Sequence, residues 1–109
     1  MNNQITDHDS AKYWHNQQGQ LHREDGPAVE YANGNKYWYQ HGKKHREDGP
    51  AVEDANGNKC WYQHGQSHRE DGLAYESYSG YKEWWINNTR LNVSSQEEFI
   101  RYLKLRPFW

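Results

Sequence analysis

The chain has 109 residues and a net charge of −2, with 13 basic and 15 acidic side chains, so it is one domain with no general pull toward nucleic acid or an anionic membrane. Only 13 residues are Ile, Leu, Val or Phe, whereas Trp and Tyr together supply 15, so the interior must be built largely from amphipathic rings. No apolar run approaches membrane-spanning length, the N-terminus lacks the blocks of a signal peptide, and the lone Cys60 suits a reducing compartment, which together point to the cytoplasm.

Residues 1–12 form a polar N-terminal segment. From residue 13 the chain repeats. His-Arg-Glu-Asp-Gly-Pro-Ala stands at 22–28 and 45–51, and again at 68–74 with Leu73 in place of proline. The period is 23 residues, kept by Trp38, Trp61 and Trp84 and by Gly34, Gly57 and Gly80. A fixed period of this size marks a supersecondary unit stacked on copies of itself. The first unit is incomplete: Tyr13-Trp14 matches Tyr37-Trp38, but one extra residue separates Trp14 from Gly19.

Within a unit, Asn33-Gly34 or Asn56-Gly57 lies between two strand-like runs, which predicts a hairpin with a two-residue type I′ turn. Counting outward from Asn33-Gly34 pairs Tyr31 with Lys36, Glu30 with Tyr37, Val29 with Trp38 and Ala28 with Tyr39. Val29, Tyr31 and Trp38 then share one face, the expected core, and Ala28, Glu30, Tyr37 and Tyr39 share the other. The position of Tyr37 becomes Cys60 and then Glu83, a chemical freedom that reads as an exposed site. The HREDGP segments, following Gly42 or Gly65, read as turns between hairpins. Residues 94–104 read as a helix. Ser is followed by Glu three residues later in two overlapping registers, Phe99, Ile100 and Leu103 make an apolar stripe, and Pro107 ends it.

The expected fold is therefore mainly β: tandem 23-residue β-hairpin repeats over residues 13–91 in an elongated antiparallel meander, closed by a capping α-helix within residues 92–109. The polar N-terminal segment would cover one sheet edge, or two chains would pair there as a homodimer.

The units HREDGPAVEYANGNKYWYQHGKK and HREDGPAVEDANGNKCWYQHGQS resemble a MORN-like family of tandem hairpin repeats, over roughly residues 13–91. The departures are Leu73 for proline, Ser79-Gly80 for Asn-Gly and Asn88 for the strand-end glycine. Such repeats are common in bacteriophage and large viruses, and some bacterial relatives carry an antitoxin label. The resemblance implies a non-catalytic scaffold, and by genomic company a phage accessory protein acting on a host factor in the host cytoplasm.

His22, His45 and His68, each followed by Arg-Glu-Asp, are the obvious chemical candidates. Histidine beside carboxylates can bind a metal or move a proton, yet no ligand spacing such as paired histidines at i, i+4 is present. A structural role between repeats for His22, Arg23, Asp25, His45, Arg46, Asp48, His68, Arg69 and Asp71 accounts for all three copies at once, with no metal or cofactor and no catalysis. The seven histidines would make any interface they enter pH-sensitive. Tyr37, Tyr39, Tyr62, Trp85 and the Phe108-Trp109 tail are the expected partner contacts. The function expected is stoichiometric binding of another protein, such as inhibition of a host CRISPR nuclease. The alternatives are a metal- or nucleic-acid-binding module centred on the HRED triplets, or a structural self-assembling protein.

Overall fold

Two kinds of turn alternate along the chain and generate the architecture. The computed structural model describes residues 4–8 and 10–105. The strands are β1 Gln4–His8, β2 Ala11–His15, β3 Val29–Tyr31, β4 Lys36–Tyr37, β5 Tyr39–Gln40, β6 Lys43–Lys44 and β7 Val52–Glu53. They continue as β8 Lys59–Cys60, β9 Tyr62–Gln63, β10 Gln66–Ser67, β11 Tyr75–Glu76, β12 Lys82–Glu83, β13 Trp85–Ile86 and β14 Thr89–Arg90, and the helix α1 spans Gln96–Lys104.

Eight strands form an antiparallel sheet in the order β1-β2-β3-β4-β7-β8-β11-β12. The remaining strands make three two-stranded ribbons, β5–β6, β9–β10 and β13–β14. Each full unit thus gives one hairpin to the sheet and one ribbon to a second row. The chain passes from one to the other at Trp38, Trp61 and Trp84. Adjacent ribbons are joined by backbone bonds such as Gly65 N to Lys44 O at 2.8 Å and Asn88 N to Ser67 O at 2.8 Å. The fold is the expected mainly β array of hairpins with a terminal helix, elongated at 46 × 33 × 18 Å. Among the described residues no helix is long and apolar enough to cross a membrane.

The hairpin register differs from expectation by one residue. The pairs are Val29 with Tyr37 and Glu30 with Lys36, not Val29 with Trp38. The reason lies in the turn. Gly34, Gly57 and Gly80 take φ of 102°, 98° and 95°, but Asn33, Asn56 and Ser79 stay out of the left-handed region. The loop therefore takes in Ala32 as well, with Gly34 N donating to Tyr31 O and Tyr31 N to Asn35 O. A type I turn followed by a left-handed glycine suits a three-residue hairpin loop. The type I′ geometry sits instead on the ribbons: His41-Gly42 at 52° and 78°, His64-Gly65 at 52° and 80°, Asn87-Asn88 at 48° and 67°.

A one-residue shift carries every side chain to the other face. One face now bears the cross-strand row Tyr13, Val29, Tyr37, Val52, Cys60, Tyr75, Glu83. The other bears Lys12, Glu30, Lys36, Glu53, Lys59, Glu76, Lys82, which alternates in charge at every step. Opposite charges directly across a strand pair contribute roughly 0.2–1 kcal/mol each, and the expected register would have set Lys36 against Tyr31. The expected Trp/Val core holds only in part: Val29 and Trp84 are buried, Trp38, Trp61 and Val52 are half-buried, and Ala28, Ala51 and Ala74 with His22, His45 and His68 are buried beside them.

At the loops, a side chain at position 54 or 77 substitutes for missing backbone partners. Asp54 Oδ1 accepts from the backbone N–H of Asn56 and Asn58, at 2.9 and 3.0 Å, and Ser77 Oγ accepts from Tyr81 N at 3.0 Å. Loop also binds loop, Asn35 Oδ1 accepting from Ala55 N and Asn58 Oδ1 from Tyr78 N. Desolvation pushes the Asp54 carboxyl up, but the donors from Asn58, Asn56 and Gly57 outweigh it and hold the group below the ordinary carboxylate range. A carboxyl lowered on folding contributes stability above its unfolded pKa, and that stability is lost as pH falls through the lowered value. Acid denaturation below about pH 4 is therefore expected to include an Asp54 component, and Asp54→Asn, which keeps the Oδ1 acceptor, should remove it in stability-versus-pH curves.

The ends are closed differently. β1 pairs with β2 from Gln4 opposite His15 to His8 opposite Ala11, so residues 4–8 cover the first repeat edge and themselves become the outer edge. The N-terminal segment is thus part of the sheet, and β2 already begins at Ala11. At the other end Ser95 caps α1, its hydroxyl accepting from Glu98 N at 3.1 Å, while Glu98 Oε1 accepts from Ser94 Oγ at 2.6 Å and Ser94 N at 2.7 Å. These bonds, the hydroxyl first, lower the Glu98 pKa. Phe99 is fully buried with Trp84, Ile86 and Leu91, flanked by Leu73, Val93, Tyr102 and Leu103. Ile100, expected in the apolar stripe, is 45% exposed, and Tyr102 takes the place on the buried side.

Candidate partner-binding face and the histidine–arginine turns

Each HRED turn is a self-contained construction. The imidazoles of His22, His45 and His68 are buried. Their Nδ1 atoms accept from the backbone N–H of His41, His64 and Asn87 in the next unit, at 3.0, 3.0 and 2.8 Å. Their Nε2 atoms face Glu24, Glu47 and Glu70 at 3.3, 3.3 and 3.2 Å. A backbone N–H can only donate, so Nδ1 carries the lone pair, and the proton of the neutral ring sits on Nε2, toward the carboxylate.

The arginines tie sheet to turn. Arg46 lies over the Trp38 ring at 3.9 Å, donates from Nε to Asp48, and from Nη1 to Pro50 O and Glu53, each at 3.0 Å. Arg23 repeats the set with Trp14, Asp25, Pro27 O and Glu30. Arg69 keeps Trp61, Asp71 and Leu73 O, without a bond to Glu76. The arginine packs closely on the glycine of HREDG: a Cβ would lie 2.9 Å from Arg23 Cζ at Gly26 and 2.8 Å from Arg46 Cζ at Gly49, so the guanidinium would have to shift, whereas at Gly72 the distance to Arg69 Cζ is 3.3 Å. Between successive turns lie open grooves of about 870 and 710 Å³, with Trp38 and Trp61 among their linings. Their rims carry more carboxylates than guanidiniums, with Asp25, Asp48 and Asp71 largely exposed. Among the described residues no three or more His, Cys, Asp or Glu side chains converge as a metal site.

The aromatic candidates meet elsewhere. Tyr37, Tyr39, Tyr62 and Trp85 are all half-buried. Tyr31 stands edge-on to Tyr37 at 5.7 Å and to Tyr13 at 6.3 Å, which gives three adjoining rings across β2, β3 and β4. Burial, and then Tyr37, Tyr31 and Tyr62, push the Tyr39 hydroxyl above its ordinary pKa. Lys44 Nζ lies over the Tyr62 ring at 5.0 Å. In the row's middle, burial raises the Cys60 thiol. At its far end Glu83 accepts from Trp85 Nε1 at 2.9 Å and Tyr81 O–H at 2.8 Å, and Arg90 Nη2 donates to the Tyr81 oxygen at 3.1 Å. The Glu83 hydrogen bond, then burial, raises the Tyr81 pKa.

The structure thus places Tyr37 in the sheet with Tyr31 and Tyr13, sets Trp85 beside Glu83, and ties the ribbon residues Tyr39, Tyr62 and Trp85 to the HRED turns, their backbone carbonyls accepting from the N–H of Arg23, Arg46 and Arg69 at 3.2, 3.2 and 3.1 Å. Phe108 and Trp109 lie outside the described residues. Sequence reasoning missed Tyr31, which the two-residue turn assigned to the core, and did not single out Tyr13; the signal was the cross-strand charge match of Glu30 with Lys36. It also missed Tyr81, whose spacing from Glu83 was available but unremarkable without the register.

Comparison with family profiles, curated proteins and solved structures finds no match for this chain.

Proposed function

We propose that this chain is a non-catalytic repeat scaffold that binds another protein through the tyrosine face. The observation that carries this reading is the trio Tyr13, Tyr31 and Tyr37, rings held edge-on to one another and half-buried or exposed, with little side-chain entropy left to lose on binding; half-buried Tyr39 and Tyr62 follow on the ribbons. Tyrosine and tryptophan in this setting are the residue types that anchor interfaces. The surplus carboxylates along the HRED turns oppose a polyanion there and favour protein over nucleic acid as partner.

The resemblance to MORN-like hairpin repeats extends the proposal. It supports an accessory factor of phage type, acting in the host cytoplasm by occupying the surface of a host defence enzyme such as a CRISPR nuclease. The test is capture from host lysate followed by affinity measurement on the captured protein. Tyr37→Ala and Tyr62→Ala are expected to weaken binding by about 30-fold or more each, while Lys59→Ala on the charged face leaves it within about twofold. Equal binding by all variants, or turnover of a small substrate by the purified chain, overturns the reading.

A further inference from the structure

The geometry points to the three buried imidazoles as a ganged acid-sensitive clasp: protonation at Nδ1 of His22, His45 and His68 loosens each ribbon turn, leaving the backbone bonds Gly42 N to Leu21 O, Gly65 N to Lys44 O and Asn88 N to Ser67 O as its remaining ties at that point to the unit before it. The neutral ring has one nitrogen without a proton, and in every copy that nitrogen is the acceptor for the ribbon turn. A second proton has nowhere else to go. It would set two N–H groups against each other and turn an attractive contact into a repulsive one.

Glu24, Glu47 and Glu70 lie at Nε2 at 3.3, 3.3 and 3.2 Å. Across the grooves, Glu24 and Asp25 with Arg23 and Arg46 share a lining with His45, and Glu47 and Asp48 with Arg46 and Arg69 share one with His68. From the ribbon side, the His41 and His64 rings lie 4.6 and 4.5 Å from His22 and His45. His68 meets Asn87 at the corresponding turn, so the third clasp lacks a histidine neighbour at that position. The open state takes up the proton without losing a bond, so acid shifts the equilibrium toward it.

The effect is confined to one layer. His41, His64 and Asn87 each open the left-handed turn of a ribbon, whereas the pairs of the eight-stranded sheet do not use these nitrogens. Acid therefore loosens β5–β6, β9–β10 and β13–β14, the ribbons that carry Tyr39, Tyr62 and Trp85, before it opens the sheet.

Imidazole nitrogen NMR on the full chain, combined with amide hydrogen exchange across the pH range in which the rings titrate, tests this. At neutral pH the three rings are expected as the Nε2–H tautomer. On ring protonation the protection factors of the His41, His64 and Asn87 amides should fall together by about tenfold or more, while those of Cys60 and Tyr37 hold. His45→Asn places a non-titrating oxygen near the Nδ1 position; it should leave the His64 amide insensitive to pH while His41 and Asn87 still respond. An Nδ1–H tautomer at neutral pH, unchanged protection with the rings protonated, or acid-induced loss at His64 in His45→Asn would each overturn the proposal. The wild-type measurements decide it even if the variant does not fold.

Discussion

Phe99→Ala is expected to cost about 3–5 kcal/mol and to melt the C-terminal cap. Phe99 is fully buried, and its ring lies in a cluster with Trp84, Ile86 and Leu91 that Leu73, Val93, Tyr102 and Leu103 surround. The chain has only 13 Ile, Leu, Val and Phe residues, so no other apolar cluster can substitute. The helix also supplies Gln96, whose side chain accepts from Trp84 Nε1 at 3.0 Å and donates to Asp71 O at 3.2 Å. At Trp84 the helix takes the place that a stacked arginine holds over Trp14, Trp38 and Trp61. Losing it exposes the end of the array, and in a repeat protein an uncapped terminal unit is the weakest. Calorimetry should show a Tm drop of at least about 12 °C, with loss of helical circular dichroism. Ile100→Ala, on the exposed side of the same helix, should change stability by about 0.5 kcal/mol or less.

Arg46→Ala is the second large effect, expected at about 2–3 kcal/mol from the loss of a partly desolvated cation–π contact and charge-assisted hydrogen bonds. The bridge to Asp48 adds little, because that carboxylate is 90% exposed. The stabilising partners are the Trp38 face, Pro50 O and the half-buried Glu53. Arg46→Lys should recover less than half of the loss, since an ammonium cannot stack flat and bridge both acceptors. Arg69→Ala should be milder, because Arg69 sits farther from its tryptophan, at 4.3 Å, and makes no bond to Glu76. Chemical denaturation of the four proteins ranks these directly, and an Arg69→Ala cost equal to that of Arg46→Ala would refute the assignment.

Features specified by contiguous residues were legible before the structure. The 23-residue period, the places where the chain turns, the strand-forming runs and the Ser95–Glu98 cap all follow from side chains acting on their own backbone. The register did not, although everything needed for it was present. Whether Asn33-Gly34 closes a two- or three-residue loop depends on a φ preference worth little by itself. The deciding contribution is the sum of cross-strand pairs, from Lys12 to Lys82, that only the assembled sheet brings together. That single residue set Tyr31 on the face of Tyr37, while Trp38 and Trp61 are only half-buried and Trp84 alone of the three repeat tryptophans is buried.

The HRED turns divide in the same way. Sequence alone established that His, Arg and Asp recur as a set in every full unit, and that recurrence already pointed to scaffold rather than catalysis. Only the tertiary structure decided that each imidazole reaches forward to a backbone N–H 19 residues away, and that each arginine reaches back to a tryptophan of the strand before it. Those partners are chosen by the stacking of one unit on the next, a distance set by strand spacing rather than by position along the chain.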